Sequence, residues 1–98
     1  KGKTILLIPA IVLAEIGYLS EKSKIDTNLK EVESYCRKYP AVQIQPITDE
    51  IIYKSFEIDD IPELHDRIIA GTAYHKNLEL ISSDSIIQES KYVTTIWK

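Results

Sequence analysis

Three carboxylates stand where an acid has chemistry open to it. Glu15 lies inside "IPAIVLAEIGYL", the only charge in an otherwise apolar run from Ile8 to Leu19. Asp66 follows His65 and, after Arg67, is succeeded by the small, apolar stretch "IIAGTA". Asp84 closes "LELISSD", directly after a segment that reads as a strand. An isolated carboxylate in apolar surroundings is costly and calls for a partner, and the sequence around Glu15 offers no evident cation. A divalent metal would be such a partner, because oxygen clusters suit Mg²⁺ or Mn²⁺ without histidine or thiolate ligands. His65 and His75 are ten residues apart, which is not a zinc-ligand spacing.

Each acid also has an ordinary role open to it. Glu15 would fit the polar edge of a helix or a pair with a lysine. Asp66 would complement a helix dipole from the first turn. Asp84 would cap the segment "SIIQ". Spacing alone does not choose between these roles and a metal site.

The elements that must position these residues alternate between strand and helix. "KTILLI", Lys3 to Ile8, reads as a buried strand stopped by Pro9, which is suited to open a helix running to about Glu21. "TNLKEVESYCRKYP" is amphipathic and ends before Pro40. "VQIQPI" alternates as a short strand. Thr48 is placed to cap a helix with Asp49 and Glu50 in its first turn and Ile51, Ile52, Ser55 and Phe56 on its inner face. Pro62 is expected to start the longest helix, "PELHDRIIAGTAYHKN", with Asn77 at its stop. "LELISS" and "YVTTIW" read as strands flanking a short "DSIIQES" turn or helix. Such alternation predicts an α/β sandwich with a central, largely parallel sheet, and ligands in such folds gather beyond the carboxyl ends of strands, where Asp84 falls. The acids of "EIDDI", Glu57, Asp59 and Asp60, read as a solvated loop. Tyr35, Tyr39 and Tyr92 suit core edges better than base stacking.

Composition narrows the class. The 98 residues suit one domain, residues 1–98. No apolar run reaches the roughly 18 residues of a membrane span, and no secretory signal is evident. Cys36 is the only cysteine, so no internal disulfide forms, in keeping with a cytoplasmic protein. A net charge of −3 argues against broad electrostatic DNA binding but leaves RNA open. The sequence has no methionine and begins at Lys1, which suggests further chain upstream.

"IPAIVLAEIGYL", "ELHDRIIAGTAY" and "LELISSDSIIQESKYVTTIW", in this order, resemble the PIN-domain nucleases, especially the VapC-like toxin ribonucleases of toxin-antitoxin pairs. The resemblance runs from Ile8 to Trp97; its most specific parts are "HDR" opening an alanine-rich helix and the strand ending in Ser82, Ser83, Asp84. It implies a Mg²⁺- or Mn²⁺-dependent endoribonuclease whose metal and catalytic residues are Glu15, Asp66 and Asp84, with Ser82 and Arg67 in possible support. It further implies an antitoxin partner, a homodimer, and a first strand carrying a fourth acid, expected upstream of Lys1, without which the 98 residues would be inactive or nearly so. Gly71 departs from the family, which usually has alanine there, and Ile87 lies near a frequent aromatic. The alternative is a PIN-like domain that binds RNA or protein without cutting.

Overall fold

The computed structural model describes residues 4–97. The chain divides into two compact units, Lys1–Pro46 and Ile47–Lys98, which are described in turn.

In the first unit, strand β1 (Leu6–Pro9), helices α1 (Ala10–Glu21) and α2 (Leu29–Lys38), and strand β2 (Val42–Gln45) follow one another. The two strands pair in parallel, Leu6 opposite Val42 and Ile8 opposite Ile44. The expected strand began at Lys3, which lies outside the described residues. Pro9 ends β1 and is also the N-cap of α1, at φ −60° and ψ 137°. The ring fixes a φ that serves strand and helix alike, so the helix proper begins one residue later than expected. At α2 the Asn28 side chain accepts the Glu31 N–H at 2.9 Å, and Arg37 and Lys38 in the last turn complement the dipole. Neither helix has a fully buried residue, and Tyr18, Leu19, Leu29, Tyr35 and Tyr39 are exposed. The apolar character of α1 therefore makes a half-covered face, and Tyr35 and Tyr39 stack on each other at the surface with centroids 4.6 Å apart.

In the second unit, α3 (Asp49–Ser55) and α4 (Leu64–Lys76) precede β3 (Leu80–Ile81), α5 (Ser85–Gln88) and β4 (Thr95–Ile96). Thr48 caps α3 as its sequence predicts, its hydroxyl accepting the Ile51 N–H at 3.2 Å. Asn77 ends α4 in the left-handed conformation, φ 57° and ψ 48°, which asparagine tolerates well. The core gathers Ile58, Ile61, Ala70 and Ile87, with Tyr74, Leu80, Tyr92 and Val93 packed on it. Helices α3 and α4 meet closely at Gly71, where a Cβ would stand 2.0 Å from Ser55 Oγ and 2.9 Å from the Ser55 backbone. That approach accounts for glycine where the resemblance leads one to expect alanine.

Two local expectations are corrected. Phe56 does not face inward; it is 59% exposed, with the Arg67 guanidinium 5.2 Å from its ring centre. Helix α4 starts after Pro62, with Glu63 as N-cap. Pairing among the described residues is parallel, Leu80 opposite Thr95 and Ile81 opposite Ile96 in the second unit. Among the described residues the strands form two two-stranded sheets, where the sequence pattern suggested one central sheet.

Candidate active site

The second unit places Asp66 in the first turn of α4 and Asp84 at the cap of α5, just past β3. Glu63 organises the first position. Its Oε1 accepts the Asp66 N–H at 2.8 Å, and its Oε2 lies 2.9 Å from His65 Nδ1. Glutamate is not a usual N-cap, but a negative group suits the positive end of a helix. Those bonds, His65 first and then the Asp66 N–H, hold the Glu63 carboxyl below its ordinary pKa.

Asp66 is half-buried and shifted the other way. Burial raises its pKa, the charges of Glu63 and Asp84 raise it further, and His65 opposes them in part. The charges of Glu63 and Asp84 thus both disfavour ionisation of Asp66, and a cation beside it would oppose them.

Asp84 performs the cap that its sequence position allowed. Its Oδ1 accepts the Ile87 N–H at 3.0 Å. Ser82 supports it from behind: the Ser82 hydroxyl accepts the Asp84 N–H at 3.1 Å, and Gln88 Nε2 donates to the Ser82 carbonyl at 2.9 Å. A strand-end serine satisfying backbone groups and a serine orienting Asp84 are here one contact. Capping occupies one lone pair of a two-oxygen carboxylate, so it does not compete with a role as metal ligand.

Arg67 is turned toward the loop before its own helix. Its Nε–H donates to the Ile61 carbonyl at 2.8 Å, and it stacks on Phe56. Glu15 sits half-buried in the middle of α1, in the first unit. Among the described residues, no group of three or more His, Cys, Asp or Glu is arranged to hold a metal. Asp66 and Asp84 remain a hard, all-oxygen donor pair, and Mg²⁺ is commonly held by one or two carboxylates with water and phosphate completing its shell. By donor chemistry, carboxylate oxygens suit such an ion.

Sequence reasoning overlooked Glu63 and Asp60. For Glu63 the signal was an acid three residues before Asp66 and next to Pro62. Asp60 belongs to the loop expected to be solvated, yet it accepts from the Ser90 hydroxyl at 2.8 Å and the Lys91 N–H at 2.9 Å.

The PIN domain family matches residues 2–91, and the chain belongs to it. PIN domains are generally nucleases and generally use divalent metal ions. No curated protein matches the chain. No helix among the described residues is long and apolar enough to cross a membrane.

Proposed function

We propose that residues 1–98 belong to one PIN-type catalytic domain, that of an endoribonuclease which hydrolyses RNA phosphodiester bonds with Mg²⁺ or Mn²⁺. Asp66 and Asp84 would hold the ion. What supports this reading is the PIN family match over residues 2–91, together with Asp66 in the first turn of α4 and Asp84 just past β3, whose charge helps raise the Asp66 pKa. When bound, the ion would supply an acidified water and offset charge on the scissile phosphate. Glu63 fixes the first turn around Asp66, Ser82 fixes the backbone of Asp84, and Arg67 braces the loop leading into α4.

The biological role we assign is that of a cytoplasmic VapC-like toxin, restrained by an antitoxin and working as a homodimer. Supporting a protein partner is an apolar groove of about 660 Å³ in the first unit, lined by Leu13, Leu29, Val32, Cys36 and Ile44. A non-catalytic binding domain is the second reading, supported by the same apolar groove. Incubating the full protein with a single-stranded or loop RNA separates the two. Cleavage should appear with Mg²⁺ or Mn²⁺, stop in chelator and return when the ion is restored. Cleavage indifferent to chelator would refute the metal-dependent mechanism, and none under any condition would favour the binding domain.

A further inference from the structure

Asp60 lies between two fully buried anchors, Ile58 at 1% and Ile61 at 0% exposure, in the loop joining α3 to α4. Its two carboxylate oxygens reach the turn after α5, thirty residues on in sequence, where Oδ1 accepts from the buried Ser90 hydroxyl and Oδ2 from the Lys91 N–H. The Ser90 oxygen in turn accepts the Tyr92 N–H at 3.1 Å. The Tyr92 phenol has its pKa raised by burial and then by the neighbouring Asp59 carboxylate. Burial pushes the Asp60 carboxyl up, but the Lys91 N–H, the Ser90 hydroxyl, its own backbone N–H and the Lys91 charge outweigh it and leave the pKa lowered.

The two segments so joined carry the two acids of the site. Six residues after Asp60 comes Asp66, and six before Ser90 comes Asp84. Ile87, whose N–H is held by Asp84, packs in the same core as Ile58 and Ile61. We propose that Asp60 is a positioning residue, clamping the turn after α5 to the loop before α4 and thereby setting where Asp84 stands relative to Asp66. Its consequence for metal binding rests on the metal-dependent reading above; the positioning itself does not.

Two measurements on the full protein test it, with Asp60→Ala and Asp60→Asn. In amide hydrogen exchange without metal, Asp60→Ala should accelerate exchange at Ile87 about tenfold through local opening, leaving the Thr72 amide within α4 unchanged. Asparagine should fall between, because the two donors reach different carboxylate oxygens and the amide keeps only one of them as an acceptor; it also serves if the alanine variant does not fold. In Mn²⁺ binding by calorimetry, Asp60→Ala should weaken affinity by about fivefold or more as the donor pair loosens, again with asparagine between. Unchanged Ile87 exchange overturns the proposal, and so does equal acceleration at Ile87 and Thr72, which would mark a general loss of stability. Unchanged Mn²⁺ affinity overturns its bearing on the site. Should the wild-type protein bind no Mn²⁺, the metal reading fails instead, and exchange alone decides the positioning.

Discussion

Replacing Gly71 with alanine sets two effects of known sign against each other. In a helix interior alanine is favoured over glycine by about 1 kcal/mol, so α4 taken alone would gain stability. Against this, the added Cβ would meet Ser55 Oγ at 2.0 Å, Ser55 Cβ at 2.8 Å and the Ser55 backbone at 2.9 Å. Rotating the serine relieves only the first clash, and Ser55 is fully buried with its hydroxyl already bonded to the Ile51 carbonyl at 2.7 Å. The backbone clash requires α3 and α4 to move apart, loosening the packing around Ile51 and Ala70. Overpacking of this kind costs about 1–3 kcal/mol, and the backbone clash puts Gly71 at or above the upper end. Net destabilisation should be about 2 kcal/mol, or roughly 10 °C in Tm for a domain of this size. Urea and thermal unfolding of Gly71→Ala measure it directly. Adding Ser55→Gly should recover only part of the loss, since the clash with the backbone of residue 55 remains. A Gly71→Ala protein as stable as wild type would refute the close crossing and return glycine to an unexplained departure.

Further outcomes separate charge from structure. Asp84→Asn should keep the cap and nearly all stability, whereas Asp84→Ala should lose about 1 kcal/mol; equal losses in thermal unfolding would contradict the capping role. Because Asp66 has a raised folded pKa, its contribution to stability is present in acid, below the unfolded value of about 3.9, and is lost as pH rises through the folded value. Asp66→Asn should therefore be more stable than wild type at pH 7 without metal, with the gap closing by about pH 3; an equal or lower urea midpoint at pH 7 would contradict this. Arg67→Ala should cost about 2 kcal/mol through the Ile61 bond and the Phe56 stack, and lysine should restore less than half, since an ammonium cannot reproduce a stacked planar fork. A lysine variant as stable as wild type in thermal unfolding would count against the bracing role.

What the sequence made legible was mostly local. Thr48, Asn77 and the capping option for Asp84 could be read because a cap depends on residues three or four positions away. The end of α1 at Glu21 and the parallel sense of the strands followed from pattern and alternation. Asp60 escaped because its partners, Ser90 and Lys91, are thirty residues distant, and an acidic loop looks the same whether water or a buried hydroxyl receives it. Phe56 misled because periodicity places it on the inner face, while the end of α3 at Ser55 and the nearby Arg67 guanidinium keep it at the surface. Of the site, the positions of Asp66 and Asp84 were legible from motif. Their mutual field and the part played by Glu63 required the fold.

The central claim is that Asp66 and Asp84 hold the ion that cleaves RNA. Its most direct test is the cleavage rate of a loop RNA by the full protein at saturating Mn²⁺, compared among wild type, Asp66→Asn and Asp84→Asn, each verified as folded by its unfolding transition. Asparagine preserves volume, and at residue 84 it preserves the cap, so only the carboxylate charge is removed. The account predicts that both variants lose cleavage by at least about a hundredfold. Wild-type rates in both would contradict it.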